Sequence, residues 1–338
     1  MENGTGQLLL RNDQLFSDGQ WVLFNPDESE IFAALPARVD GFHQYFDSYQ
    51  AALEKGGKQT FAAQFTLESS PAYDGAVIYL PTAKAHASML IENARSVVKA
   101  GGTIAIVGSN DSGIKSIGKR LKQSFGEVQK YDAARHCAIW LVTNPAQIEF
   151  NLNDYIKVST YSSNAIQWKV ASLPGVFSAD GLDPGTELLL SSIPELKGSS
   201  CLDFACGAGV IGCYLNLRQP HLTVKYSDIN ALSLYCCKKS LELNDLHGEV
   251  IASNGLNEWQ ERFDNIITNP PFHSGKQTNY GITERFIATA NSHLQVGGQL
   301  YLVANRFLPY PDLIDQHLRR QADVAKSGKF TVYKASKK

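Results

Sequence analysis

Nowhere in the sequence is there an apolar run of the length a bilayer core demands, so no membrane-spanning helix is expected. The opening stretch MENGTGQLLLRNDQLF also lacks the basic-then-apolar pattern of a secretory signal, and the expected location is the cytoplasm. Cysteine is sparse and poorly spaced for metal: Cys137, Cys201, Cys206, Cys213, Cys236 and Cys237 contain no C-x-x-C pair, and the adjacent Cys236 and Cys237 would point different ways on a helix. Zinc ligation is therefore not expected, nor is a disulfide framework in a cytosolic chain of this size. The thiols read as small buried hydrophobes. Excess charge of one sign is missing too. With 31 Lys and Arg against 33 Asp and Glu, the chain does not suit indiscriminate coating of nucleic acid, but it remains compatible with docking on a ribonucleoprotein through a local basic patch.

What is present is the length and the pattern for two domains. The 338 residues, 43% hydrophobic and 19% charged, are enough to bury a core in each. In the second half, strands are expected at 199–205, 222–228, 249–253, 264–268 and 299–305, with a final strand in KFTVYKA, and helical segments between them. The first half repeats part of this, with strands at 75–81, 103–108 and 137–142 and an opening strand at 21–25. Strands alternating with helices imply an α/β fold with parallel, doubly wound sheets and ligands at the strand C-terminal ends. The join is expected between Asn144 and Gln167, where apolar periodicity fades.

The strand ends of the second half carry the chemistry. LDFACGAGVIG places Asp203 at a strand end and Gly207 and Gly209 in the turn before a helix. Such a turn lets backbone N–H groups approach a ligand, but it serves plain tight packing equally well. Asp228 ends the next strand, where an acceptor-only carboxylate suits the two hydroxyls of a ribose; capping the following helix, by Asp228 or Asn230, is the other use of that position. Asn254 ends the third strand and offers an amide to an adenine edge, with Ile229 or Leu256 as a packing surface; a simple turn asparagine is the alternative. The fourth strand runs into NIITNPPFHSG. Proline cannot donate to a sheet and fixes its own backbone, so Pro270 and Pro271 stop the strand and stiffen the corner after it. The Asn269 side-chain oxygen and the Pro270 carbonyl can each accept one N–H of a flat amine, while Phe272 offers a stacking face.

Gly loop, acid, amide and Asn-Pro-Pro-aromatic, in that order, resemble the class I S-adenosylmethionine-dependent methyltransferases acting on planar nitrogen. PGVFSADGLDPGTELLLSSIP, NPPFHSGKQTNYGITERFI, LVANRFLPY and, in the first half, SNDSGIKS and YDAARHCAIWLV look like the bacterial ribosomal RNA small-subunit methyltransferase C family. The resemblance spans nearly the whole chain and is strongest from Gly175 to Tyr310. It implies methylation of the N2 amine of one guanine in 16S rRNA, within the assembled 30S subunit, by a monomer. It also implies two tandem Rossmann-like methyltransferase-fold domains: a degenerate copy at residues 1–145, a linker at 146–166 and a catalytic domain at 167–338. Carried over, S-adenosyl-L-methionine would lie against Asp203, Ala205, Cys206, Gly207, Gly209 and Asn269, with Asp228 at the ribose and Ile229 packed on the adenine ring. Asn254 and Gly255 would meet its adenine, and Asn269, Pro270, Pro271 and Phe272 would hold the target amine. Ala205 departs from the usual glycine; its methyl group is tolerated at negative φ and penalised at positive φ, which would bear on cofactor affinity.

Related families share parts of this pattern. Large-subunit guanine-N2 enzymes have the same Asn-Pro-Pro-Phe-His corner. Glutamine N5-methyltransferases use Asn-Pro-Pro-aromatic as well, but with Tyr usual in place of Phe272 and a small helical N-terminal domain. A ribosome-assembly factor without catalysis is the non-enzymatic alternative. Lys115, Lys119, Arg120 and Lys122, and near the C-terminus Arg319, Arg320, Lys326 and Lys329, are basic clusters that serve as solvated faces or as RNA contacts. His273 reads as a pocket or phosphate-facing residue rather than a base.

Overall fold

The computed structural model describes residues 3–35, 38–67, 72–177, 181–270 and 277–338. It divides into two compact units, Met1–Tyr155 and Ile156–Lys338. The first unit runs α1 (Gly4–Arg11), β1 (Trp21–Phe24), α2 (Ile31–Ala34), β2 (Asp40–His43), α3 (Phe46–Ala52), β3 (Gln59–Phe61), β4 (Tyr73–Tyr79) and α4 (Lys84–Val97). It continues with β5 (Val98–Ser109), α5 (Ile114–Phe125), β6 (Gln129–Ala134) and β7 (Cys137–Thr143). Its seven strands lie in the order β3-β2-β1-β4-β5-β7-β6, with β7 antiparallel to both neighbours. Side chains alternate across a strand, so both faces must be covered. Val22, Phe24, Ile78, Ile104 and Ile106 join one core cluster, while Leu23, Val77, Ala105 and Val107 join another.

The second unit opens with a hairpin, β8 (Lys157–Ser163) and β9 (Ile166–Ser172), followed by α6 (Pro184–Ser192), β10 (Ser200–Phe204) and α7 (Val210–Arg218). Then come β11 (Thr223–Asp228), α8 (Ala231–Leu243), β12 (Val250–Ala252), β13 (Phe263–Thr268), α9 (Gln277–His293) and β14 (Leu294–Asn305). The chain closes with α10 (Tyr310–His317), β15 (Arg319–Arg320), β16 (Ala325–Lys326) and β17 (Phe330–Ser336). The strand order β12-β11-β10-β13-β14-β17-β15, with β17 antiparallel to β14, repeats the first unit's connectivity. The echo that looked partial in the sequence is thus a full seven-strand match, and the α/β expectation holds in both halves. No helix among the described residues is long and apolar enough to cross a membrane.

The segment 146–166, expected as a linker, holds a 3-10 turn, the whole of β8 and the start of β9. The hairpin is tied into the second unit. Asn164, at the turn, donates to the Tyr214 hydroxyl at 2.9 Å, and the Ala171 N–H donates to the Ser240 hydroxyl at 3.0 Å. Its strands hid because one face carries Lys, Ser and Thr in solvent, leaving too few apolar positions for a period-two signal. All six cysteines are free and buried. Cys236 and Cys237, expected to face different ways, are both fully enclosed, because α8 is buried over more than one face.

Candidate active site

Sheet order decides where ligands meet the second unit. The sequence of strands reverses direction between β10 and β13, and the crevice outside such a switch point receives ligands in doubly wound sheets. Phe204 pairs with Ser227 on one side and with Thr268 on the other. The residues just beyond these three, Ala205, Asp228 and Asn269, therefore come off the sheet at one level. Two strand spacings, roughly 10 Å, separate the outer pair.

The loop after β10 is held by its own backbone. Cys206 N–H donates to the Ser227 carbonyl at 3.0 Å and Gly209 N–H to the Cys206 carbonyl at 2.8 Å. Ala205, Gly207 and Gly209 all have positive φ, +54°, +54° and +79°. Ala205 thus sits where a side chain is penalised, the less favourable of its two conditions. The two glycines serve different purposes. A methyl group on Gly209 would stand 2.9 Å from the Cys237 sulfur, whereas one on Gly207 would meet nothing within 4 Å. Gly209 is there for packing; Gly207 leaves open room. Phe204 stacks on Phe286 of α9 with ring centroids 4.0 Å apart.

Asp203 is fully buried, and its Oδ2 accepts the Gly212 N–H at 2.8 Å, pinning α7 to the strand. Its Oδ1 is buried with no hydrogen-bond partner among the described residues. Burial, and secondarily the nearby Asp228 charge, push its carboxyl up to about 8. Asp228 accepts Gly207 N–H on Oδ2 at 2.8 Å and Asn230 N–H on Oδ1 at 2.9 Å. Burial raises its pKa and these backbone donors oppose the rise. Each carboxylate oxygen keeps a second lone pair for a hydroxyl donor. Capping of the next helix falls to Asn230, whose side chain accepts the Leu232 N–H at 2.9 Å.

Ser253 N–H donates to the Asp228 carbonyl, bringing the third strand end alongside. Glu258 fixes the turn beyond it, accepting the Ser253 hydroxyl at 2.7 Å and the Asn254 N–H at 2.9 Å. The Asn254 amide itself bonds to none of the described residues, and a methyl on Gly255, φ +70°, would meet nothing within 4 Å. Leu256 is buried in the core beside Trp259, which leaves Ile229, half-buried, as the available apolar surface.

Asn269 follows β13, and Pro270 behind it is buried. The Asn269 Nδ2 donates to Asp183 Oδ2 at 2.9 Å and to the Thr186 hydroxyl at 2.8 Å. A carboxylate only accepts, so it settles which way the amide faces and keeps Oδ1 free of these partners. Asp183 is also the N-cap of α6, accepting the Thr186 N–H at 2.9 Å. Neither Asp183 nor Thr186 was singled out from the sequence. The available signal was Asp-Pro-Gly-Thr, an N-cap with proline in the first turn, and it gives no hint of a partner 86 residues away. Pro271, Phe272 and His273 lie outside the described residues. The loop geometry, the orphaned Asp203 oxygen, the room over Gly207 and Gly255 and the unpaired Asn254 amide fit an adenosyl ligand with a ribose diol.

At the equivalent strand end of the first unit, buried polar side chains bond to one another. Asn25, with φ +52°, follows β1; its Nδ2 donates to Gln44 Oε1 at 2.9 Å, and the Gln44 N–H returns to Asn25 Oδ1 at 2.7 Å. His86 Nε2 donates to the same Gln44 oxygen at 2.7 Å, and burial pulls its imidazole down to about 4. The C-terminal basic cluster is partly neutralised, with Arg320 paired to Asp315 and Lys326 to Asp323.

Residues 6–159 match the family model described as methyltransferase small domain N-terminal, and residues 167–334 match methyltransferase small domain. The curated ribosomal RNA small subunit methyltransferase C of Pseudoalteromonas atlantica is 43% identical, covering 98% of this chain and 99% of its own. The protein of the same name from Vibrio vulnificus is 36% identical, covering 95% of each. Among solved structures, a T. thermophilus 16S rRNA N2 guanine-1207 methyltransferase in complex with AdoMet and guanosine matches with a TM-score of 0.85. That match covers 100% of this chain and 92% of the other at 22% identity, a likeness of fold.

Proposed function

On the premise that the chain belongs to the ribosomal RNA small subunit methyltransferase C family, we propose that it methylates the N2 amine of one guanine in 16S rRNA. The methyl donor is S-adenosyl-L-methionine, whose sulfonium makes the methyl carbon electrophilic and supplies its own leaving group when bound. The chain's residues bind, align and stabilise charge. The backbone of Ala205, Cys206, Gly207 and Gly209 lines the passage for the cofactor, with Asp203 beneath it. Asp228 takes the ribose hydroxyls on its spare lone pairs, Ile229 packs on the adenine and Asn254, beside Gly255, meets its edge.

The observation that carries the reading is the tethering of Asn269. A guanine amine is a weak nucleophile because its lone pair is delocalised into the ring. With its nitrogen held by Asp183 and Thr186, Asn269 presents Oδ1 to one N–H of that amine. The Pro270 carbonyl takes the other. Two fixed acceptors oppose the positive charge that grows on nitrogen as its bond to the methyl carbon forms. Little reorganisation is needed because α6 sets the amide's direction beforehand and the fixed φ of proline stiffens the corner. The proton leaves afterwards, when the alkylated nitrogen is far more acidic, and no side-chain base is required. The aromatic type at position 272 is one that offers a stacking face to the target base, which must leave its own stack to reach the corner.

The proposal extends to the assembled 30S subunit as substrate and to a cytoplasmic monomer, with a first unit that holds no cofactor because Asn25, Gln44 and His86 occupy the corresponding place. Nucleoside mass spectrometry and primer extension on 16S rRNA from a deletion strain test it. One N2-methylguanine should disappear and return on complementation; an unchanged modification map in both subunits would overturn the assignment.

A further inference from the structure

The corner at Asn269 grips a planar amine, and adenine and cytosine carry one as well as guanine. A group beside the corner has to read the rest of the base. A second orphaned oxygen stands there. Asn305, the last residue of β14, is 9% exposed, and its side-chain Oδ1 is buried with no hydrogen-bond partner among the described residues. A buried acceptor left unpaired costs stability, and no contact within the fold makes use of this one.

Strand pairing brings this amide to the corner. Thr268 of β13 pairs with Leu302 of β14, so Asn269 leaves the sheet beside Val303. Asn305 lies one strand over and two residues, about 7 Å, further out. Both amides are on the α6 side. Leu300, Leu302 and Ala304 enter the core cluster shared with Phe286 and Ile314, which turns Tyr301, Val303 and Asn305 to the opposite face. Phe330 pairs directly with Asn305 and shares that face; a methyl group on Gly185 of α6 would stand 3.1 Å from its ring. Two residues before Gly185, Asp183 holds the Asn269 amide. The backbone at Asn305 is fixed as well. Its carbonyl accepts the Leu308 N–H at 3.1 Å, and the Arg306 N–H donates to the Lys329 carbonyl at 2.9 Å.

We propose that Asn305 is the residue that selects guanine, its Oδ1 accepting N1–H and its Nδ2 donating to O6 of the target base. The inference rests on the proposed N2 methylation and names the part of that site which reads the base. Guanine carries a donor on the ring nitrogen beside its amine and a carbonyl beyond that. Adenine and cytosine carry a lone pair on the ring nitrogen beside theirs, which a buried oxygen repels. Asn269 Oδ1, the Pro270 carbonyl and Asn305 Oδ1 then supply three acceptors for three adjacent N–H groups. An amide bonded at two points of a base edge discriminates more strongly than a single bond does. Asn305 makes no bond to the reacting nitrogen, so its part is choice of base and not charge stabilisation.

The test uses the full chain saturated with S-adenosylhomocysteine and titrated with three ribonucleosides by ligand-observed NMR. Guanosine is compared with 2-aminopurine riboside, which keeps the amine but lacks N1–H and O6, and with inosine, which keeps N1–H and O6 but lacks the amine. The parent chain should bind guanosine about tenfold or more tightly than 2-aminopurine riboside. In N305A, and in N305L, which fills the space with an apolar side chain, that ratio should fall to within about twofold. Inosine should bind more weakly to both variants yet keep its affinity for N269A, a split that general loosening of the corner would not produce. Equal affinity of the parent for guanosine and 2-aminopurine riboside, or a ratio that survives in N305A, would overturn the proposal and leave N2 methylation in place. A parent chain that binds no guanosine up to its solubility limit would overturn both. Absence of methyl transfer to 30S subunits, with the ratio dependent on Asn305 intact, would count against the proposed reaction alone.

Discussion

Replacing Asp183 by alanine isolates the orientation of Asn269 from its presence. In the parent chain Asp183 Oδ2 accepts the amide nitrogen at 2.9 Å, and the Thr186 hydroxyl accepts it at 2.8 Å. Turning the amide over would set its oxygen against a carboxylate, so one face is enforced. Without Asp183 only the hydroxyl remains, and a hydroxyl can donate as readily as it accepts. The amide then flips and swings, and the acceptor aimed at the target amine is no longer fixed. A hydrogen bond to a charged group contributes about 1.5–3 kcal/mol, which corresponds to a loss of turnover of roughly ten- to a hundredfold. Losing the N-cap of α6 costs about 1 kcal/mol of stability besides. The assay is transfer of labelled methyl to 30S subunits lacking the modification, with cofactor affinity by calorimetry alongside. D183N, which keeps an acceptor oxygen, should restore turnover to within a few-fold while leaving cofactor affinity as in the parent. Should D183A turn over within twofold of the parent, the tether is not what directs Asn269, and the reasoning fails.

The same geometry sets three further outcomes. Asn269→Ala removes an acceptor used only as charge develops, so kcat should fall by about a hundredfold or more, with cofactor affinity little changed; a matching loss of cofactor binding would reassign the residue. Ala205→Gly relieves a methyl group held at φ +54° and should raise urea-unfolding stability by about 1 kcal/mol; equal or lower stability would mean the loop is not strained there. Asp203, with a folded pKa of about 8 against an ordinary value near 4, stays protonated in the native chain while the unfolded chain ionises. The native state then binds more protons, so stability must fall as pH rises from about 4 to 8, by up to about 1.4 kcal/mol per unit, and level off above. Asp203→Asn, which keeps an acceptor for the Gly212 N–H, should show a shallower decline over that window; an equal slope would place the titration elsewhere.

The strand ends were legible because each carries a residue type whose chemistry constrains its use: glycine at positive φ, a carboxylate, an amide, a proline pair. Their order then reproduced the sheet's topological edge. What the sequence hid was of two kinds. Short or half-polar strands such as Asp40–His43 and Lys157–Ser163 give little periodic signal, although strand pairing and side-chain caps define them once the chain is folded. Partners distant in sequence were the other kind. Asp183 reads as a helix cap, which it is, and its second duty to Asn269 exists only in three dimensions. Glu258 is similar, an unremarked acid that sets the backbone of Asn254. At Ala205 the residue was visible and its φ was not, so the penalty became a finding only with coordinates.

The central claim is that a tethered Asn269 directs methyl transfer to a guanine amine in small-subunit RNA. It is tested most directly by incubating the purified chain and labelled S-adenosylmethionine with 30S subunits from a strain that lacks the modification, then locating the label by nucleoside mass spectrometry. A single N2-methylguanine in 16S rRNA, abolished in N269A, is the expected result. Label on another atom, in another RNA, or undiminished in N269A would contradict the account.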